Sequence, residues 1–399
     1  MEKTILNNGL TLVFSKRPSD SVTIEVSVRV GSNNETRRIS GVSHFIEHLL
    51  FEGTKKRPSS TIISNEIEKL GGELNAYTAN ERTSFYIKVL NKHFAVALDI
   101  LSDIIQNPLF DEKAIEKERK VILKEINMIN DQPRFYQWVL FNKTLFQKHP
   151  AKNPIYGTEE AVKKITRKDL ADYYKKYYIP NNMVISVAGN IKNISKEVKD
   201  RFKGLKKQKL QQIKKVVEPS LTNIRKRIEK KKILNSYVVL GYKAAPRASF
   251  DSYVLDLIKA LLGRGQSGRI IEEIRNKRGL AYEVNVYHEP SLNYGFFAVY
   301  LNTDKKIVNK AIKIILNELK LKNLTDKEIN DAKGYLEGQR ILGNEDTHEQ
   351  ADMLNFWELV KDASLSKTYV KKIKKITKKE ILRVAKKYFT KNYALAIIQ

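Results

Sequence analysis

His44-Phe-Ile-Glu-His48 sets two histidines four residues apart, with a glutamate directly before the second. On a helix, residues i and i+4 share a face about one turn apart, so both imidazoles can reach one metal ion. Glu47, three residues after His44, stands beside them. Imidazole nitrogen suits zinc, and a carboxylate next to the metal can carry the proton of a bound water. These residue types at this spacing point to metal-assisted hydrolysis. The helix reads as short, with Ser43 placed as its N-cap and Gly53 as its C′ residue. The chain has only 6 His in 399 residues, so chance placement of His, Glu and His in this order is a poor explanation.

Two histidines are one ligand short of the three protein ligands usual for catalytic zinc. The chain has no cysteine, which excludes disulfides and thiolate sites and leaves histidine and carboxylate as donors for a metal. The segment Ile115 to Ile126 supplies Glu118 and Glu125, seven residues apart and therefore on one helix face. One can ligate the ion while the other holds an imidazole N–H. Spacing leaves both assignments open.

The surrounding pattern says what must position these groups. Thr4 to Phe14 reads as a hairpin around Asn7-Asn8-Gly9, and Val22 to Val30 alternates like a half-buried strand. After the His helix, Ser59 to Leu70 reads as a helix stopped by Gly71-Gly72. Glu73 to Leu90 reads as a strand pair turning near Asn80-Glu81. Helices follow over Lys92 to Gln106, Asp111 to Asn130, Phe135 to Gln147 and Glu159 to Tyr178, and Met183 to Gly189 reads as a buried strand.

The second half repeats this order. Val162-Lys-Lys-Ile-Thr-Arg-Lys-Asp-Leu170 recurs as Ile373-Lys-Lys-Ile-Thr-Lys-Lys-Glu-Ile381, a period of roughly 210 residues. Ser236 to Tyr242 stands where Val22 to Val30 stood, and Tyr294 to Leu301 where Ser84 to Leu90 stood. Aligning Ile115 with Ile329 sets Glu118 on Ala332 and Glu125 on Gln339, so only the first copy carries metal-type ligands. The reading is an α+β fold of two duplicated domains, each an antiparallel-rich mixed sheet covered by helices. The boundaries are 1–205 for a zinc-binding catalytic domain, 206–232 for a basic, partly helical linker, and 233–399 for a metal-free domain.

A net charge of +28 raises nucleic acid as a partner. The lysines are spread over nearly every helix, however, with no single basic stripe interleaved with aromatics, so neither nucleic acid nor membrane is expected. No apolar run approaches the roughly 20 residues of a membrane helix, and the N-terminus has no signal-like apolar stretch. A cytoplasmic location is the expectation.

His44-x-x-Glu-His48 followed by Glu125 resembles the inverted-zincin peptidases of the pitrilysin, insulin-degrading-enzyme and mitochondrial-processing-peptidase family. Gly71-Gly-Glu-Leu-Asn-Ala-Tyr-Thr78 resembles that family's substrate-binding edge strand, and Val121-Ile-Leu-Lys-Glu125 its third-ligand helix. The resemblance extends through Gly268 to Tyr282 in the second half. It implies His44, His48 and Glu125 as ligands of one Zn2+ per chain, Glu47 as general base and Glu118 as the carboxylate behind an imidazole. Asn75 and Ala76 would bind the substrate backbone as an added strand, and Arg275 and Tyr282 would contact substrate and oxyanion. It further implies one half of a clamshell, completed as a homodimer or with a related subunit, enclosing peptide substrates. The alternative is a non-catalytic or partner-dependent subunit of a processing-peptidase-like complex.

Overall fold

The computed structural model describes residues 1–211 and 216–399. The chain opens with strands β1 (Glu2–Ile5), β2 (Thr11–Lys16) and β3 (Ser21–Val28), then helices α1 (Val42–Leu50) and α2 (Ser60–Glu68). Strands β4 (Glu73–Thr78) and β5 (Thr83–Leu90) precede α3 (Phe94–Gln106), α4 (Glu112–Asp131), α5 (Pro133–Leu145), α6 (Glu159–Lys164) and α7 (Arg167–Tyr177). Strand β6 (Met183–Gly189) and α8 (Ile194–Phe202) close the first copy.

The second copy runs through β7 (Arg225–Glu229), β8 (Asn235–Lys243), α9 (Phe250–Gly263) and α10 (Arg269–Ile271), which continues as a π-helical turn over Glu272–Asn276. Then come β9 (Glu283–Pro290), β10 (Gly295–Asp304), α11 (Val308–Glu318), α12 (Asp326–Gly343), α13 (Thr347–Val360), α14 (Leu365–Lys375), α15 (Lys378–Tyr388) and β11 (Ala394–Ile398).

The two sheets have one plan. The first is ordered β1-β2-β6-β3-β5-β4 and the second β7-β11-β8-β10-β9. In each, one pair is parallel (β2 with β6, β7 with β11) and the others are antiparallel. The duplication read from sequence is thus repeated strand for strand, β1 excepted.

The compact units are interleaved along the chain. One comprises the described residues of Met1–Asn127, Pro154–Lys215 and Gly343–Ser366, the other Met128–Asn153, Val216–Leu342 and Lys367–Gln399. Helix α13, from the second copy, therefore belongs with the first sheet, and α5, from the first copy, with the second sheet. The contiguous spans 1–205 and 233–399 follow the duplication, whereas the packing exchanges a helix between the copies.

In the first unit, Val22, Ile24, Val26 and Val28 of β3 face a core shared with Phe45, Ile46, Leu98 and Leu101. The polar residues between them are not solvated, which corrects the half-buried reading of this strand. Thr23, Glu25 and Ser27 are each fully buried, because α13 covers that face. Thr23 meets Thr347 hydroxyl to hydroxyl at 3.0 Å, and Asn355 Nδ2 donates to the carbonyl of Glu25. Burial pushes the Glu25 carboxyl up to about 8, with the Asp352 charge adding to it against Arg82.

In the second unit, Leu140, Phe141 and Leu145 of α5 pack against Val239, Ala298, Ala394 and Ala396. Gly241 permits this approach, since a Cβ there would lie 2.6 Å from the Phe141 ring. Truncating the fully buried Phe141 to alanine costs about 3–5 kcal/mol on the usual scale for such cavities.

Two other expectations change. Glu159 to Tyr178 forms two helices, because Thr166 and Asp169 make a reciprocal capping box that starts α7 afresh after Ile165. Of the expected linker, 225–229 is strand β7, paired in parallel with β11, and residues 212–215 lie outside the described residues. Among the described residues, no helix is long and apolar enough to cross a membrane.

Candidate metal centre

Helix α1 starts after Gly41, which adopts φ +96° and whose Cβ, if present, would lie 2.6 Å from the Tyr156 carbonyl oxygen. Ser43 is not the N-cap: it sits buried inside the first turn, its hydroxyl 3.0 Å from that of Tyr173. The capping is done by Glu35, whose carboxylate accepts the Gly41 N–H at 2.6 Å and the Ser43 N–H at 2.9 Å. When ionised, this group also meets the positive end of the helix. Burial pushes Glu35 up to about 8, opposed by those two hydrogen bonds. At the other end Phe51 is the C-cap, so Gly53 (φ +146°) lies one residue beyond C′.

The i, i+4 spacing brings the imidazoles together, with ring centroids 4.7 Å apart. Glu125 Oε2 lies 3.9 Å from His44 Nε2 and 3.6 Å from His48 Nε2. One donor atom from each of His44, His48 and Glu125 lies within 4.8 Å of the others, the one such group found among the described residues. Tetrahedral zinc with bonds of about 2.0–2.2 Å sets its donors about 3.3–3.6 Å apart, so this nitrogen–nitrogen–oxygen set fits zinc with small adjustments. Burial, followed by the neighbouring His48, lowers the pKa of His44 to about 3, which keeps its imidazole neutral and its lone pair free to ligate.

The two assignments left open for the long helix are separated by geometry. Glu125 stands at the donor cluster. Glu118, which is buried, has Oε2 2.9 Å from His48 Nδ1. Such a carboxylate orients the ring and leaves Nε2 to the metal. Burial disfavours charge on His48, but the Glu118 hydrogen bond and the charges of Glu125, Glu47 and Glu118 outweigh it and raise its pKa. The same hydrogen bond holds Glu118 below its ordinary value.

Glu47 points to the sheet, where its Oε2 accepts the hydroxyl of Thr78 at the end of β4. Burial pushes the Glu47 carboxyl up, the Thr78 hydrogen bond and His48 pull it down, and Glu125 pushes it up again. β4 is an edge strand, paired on one side only, with β5. On it, the Ala76 N–H does not enter the ladder; it donates to the side-chain oxygen of its own neighbour Asn75 at 2.8 Å. That N–H therefore faces the open edge.

Arg275 and Tyr282 belong to the other unit, where they meet each other: the guanidinium lies 5.5 Å from the phenol ring centroid, and Arg275 Nη1 donates to Gln266 at 2.8 Å. Tyr282 is 87% exposed. Glu35, Tyr173 and Thr78 escaped the sequence reading. Thr78 alone had a signal, since alternation sets it on the same face as Ala76.

The fold and the donor cluster define a class, the inverted-zincin peptidases in their half-length, two-domain form. Comparison with known proteins agrees. Residues 11–159 match insulinase (peptidase family M16), and residues 164–336 match the peptidase M16 inactive domain. An uncharacterized zinc protease of Streptomyces coelicolor is 32% identical, covering 100% of this chain and 89% of that protein. One of Bacillus subtilis is 31% identical over 98% of this chain and 96% of its own. The fold is shared with a protease from Helicobacter pylori (TM-score 0.94, 23% identity, 100% of this chain and 99% of that one). It is shared as well with a peptidase M16 inactive domain structure from Pseudomonas fluorescens (TM-score 0.90, 19% identity, 100% and 97%). The chain belongs to peptidase family M16.

Proposed function

We propose that the protein is a zinc-dependent endopeptidase that cleaves unfolded peptides held as an added strand on β4. The observation that carries this is the convergence of His44, His48 and Glu125 donors with Glu47 beside them. The zinc proteases named among its relatives support the metal. A bound zinc ion supplies Lewis acidity, lowering the pKa of a water and polarising a carbonyl.

The residues of the chain do the rest. Glu47 takes the proton of the attacking water and returns it to the leaving amine, the double duty of a positioned general base. Its burial raises its affinity for that proton, and Thr78 keeps the carboxylate aimed. Glu118 fixes the His48 tautomer. Asn75 and Ala76 offer the outward backbone edge to the substrate, which reads extended conformation more than sequence. Arg275 and Tyr282 act on substrate and oxyanion from a second subunit, either another copy or a related chain; the exposure of the Tyr282 phenol supports this role.

The test is cleavage of a quenched peptide library with and without chelator, with the mass of the assembly measured alongside. Chelator-sensitive cleavage that returns on adding zinc is the expected result. Its absence, alone and with a related subunit, would turn the reading to a non-catalytic subunit.

A further inference from the structure

The strand assigned to the substrate is held from behind by Asp352, a residue outside the His44, His48 and Glu125 donor cluster. Asp352 lies on α13, and one of its carboxylate oxygens accepts the hydroxyl of Tyr77 on β4. The other accepts Arg82 Nη2 at 3.1 Å, and the Asp352 carbonyl accepts Arg82 Nη1 at 3.4 Å. Arg82 closes the turn between β4 and β5, where Ala79 N–H donates to its carbonyl. Its guanidinium lies 5.2 Å from the Tyr77 ring centroid and 5.4 Å from that of Phe356, one turn along α13 from Asp352. Further along the same hairpin, Tyr86 stacks on His348 at 3.7 Å and Lys88 pairs with Asp346 at 2.6 Å.

Successive strand residues point to opposite faces. Tyr77 is drawn to α13, and the next residue, Thr78, is drawn to Glu47 on α1. Fixing two consecutive residues from opposite sides sets the rotation of β4 about its own axis. Together with the ladder to β5, that rotation decides where the Ala76 N–H points, since the open side of an edge strand has no ladder of its own. The bond to Thr78 is shared with the catalytic carboxylate, whereas the bonds to Asp352 run to the β4–β5 hairpin, and its charge also reaches the buried Glu25 of β3.

We propose that Asp352 is a positioning residue for substrate binding. Acting through Tyr77 and Arg82, it holds the outward edge of β4 in register for an incoming peptide backbone and touches neither substrate nor metal. The inference rests on the reading of β4 as the substrate strand, and it assigns Asp352 to KM with little share in kcat.

The probe is a quenched ten-residue peptide of casein sequence. Its steady-state constants are measured with the intact protein, and its Kd by anisotropy of a fluorescein-labelled version on the Glu47→Gln protein. Asp352→Asn is expected to raise KM and Kd about tenfold, with kcat within about twofold and zinc content unchanged. Tyr77→Phe, which removes one hydroxyl and nothing else, should raise both constants in the same sense, and the double variant should add little to the larger single effect. An unchanged Kd in Tyr77→Phe and Asp352→Asn, or a kcat that falls as far as KM rises, overturns the proposal. Should Asp352→Asn fail to fold, Tyr77→Phe decides alone. Ala76→Pro separates this from the underlying reading, because it removes the outward N–H without breaking a bond to β5. If Ala76→Pro leaves Kd unchanged, strand addition on β4 is itself wrong. If it raises Kd while the Asp352 and Tyr77 variants do not, only the role of Asp352 falls.

Discussion

Thr78 and Glu47 are joined hydroxyl to carboxylate, so the last residue of the sheet edge holds the carboxylate that stands beside the His44, His48 and Glu125 donor cluster. A hydrogen bond to the charged form favours that form, and here it offsets part of the burial that pushes Glu47 up. Removing it in Thr78→Val leaves Glu47 harder to ionise. The acidic limb of the kcat/KM profile should therefore move to higher pH by about one unit, the size of one hydrogen bond to a charge. A pH–rate profile with an unmoved acidic limb would show that Thr78 does not tune Glu47.

Glu47→Gln retains the shape of the side chain and loses the base. Zinc content should match that of the unaltered protein, while hydrolysis falls by about 100- to 10,000-fold, the range for a general acid–base group. Metal analysis beside single-turnover cleavage checks both halves, and a fully active variant would sink the assignment of Glu47.

Glu118 meets His48 Nδ1 at 2.9 Å, so under the proposed function it would act on a bound zinc through that imidazole. Glu118→Gln should weaken zinc binding by about 10- to 100-fold, as loss of an outer carboxylate does. Competition with a chromophoric chelator measures this; an unchanged affinity would mean the hydrogen bond is incidental.

Glu35 makes a prediction for stability. Its pKa is raised to about 8 by burial, well above that of an exposed carboxyl, so between about pH 4.5 and 8 the folded state holds a proton that the unfolded state has lost. With more protons bound in the folded state, stability falls as pH rises through this window, by up to about 1.4 kcal/mol per pH unit for one group. Glu25, raised in the same sense, adds to the slope. In chelator-treated protein, Tm should fall from pH 5 to pH 8, and Glu35→Gln should flatten that fall even if it lowers Tm overall. Parallel curves for the two proteins would remove Glu35 from the account.

The parts of this molecule legible in sequence are those whose information is local or repeated. The i, i+4 spacing of His44 and His48 is a property of one helix, and α4 carries both glutamates on one face, so the donor set needed only those two elements to meet. Residue types could not separate the two glutamates, because Glu118 and Glu125 differ in which nitrogen of His48 each meets in space. The β3 alternation was misread for a related reason. Thr23, Glu25 and Ser27 look like a solvated face, but the helix that covers them lies more than 300 residues later. The break at Ile165 had a visible signal in Thr166 and Asp169, which apolar periodicity outweighed. Glu35 sits among short turns with no period to mark it.

The exchange of α5 and α13 also sets a timetable for biosynthesis. When β6 emerges from the ribosome, every strand of the first sheet has been made, yet Glu25 and its neighbours still lack their cover. That cover is translated roughly 150 residues later, a delay on the order of 10 s at ordinary elongation rates. Until then that face of the sheet is without the helix that buries it. The unit that carries His44, His48 and Glu125 therefore receives its last helix long after those three residues are made.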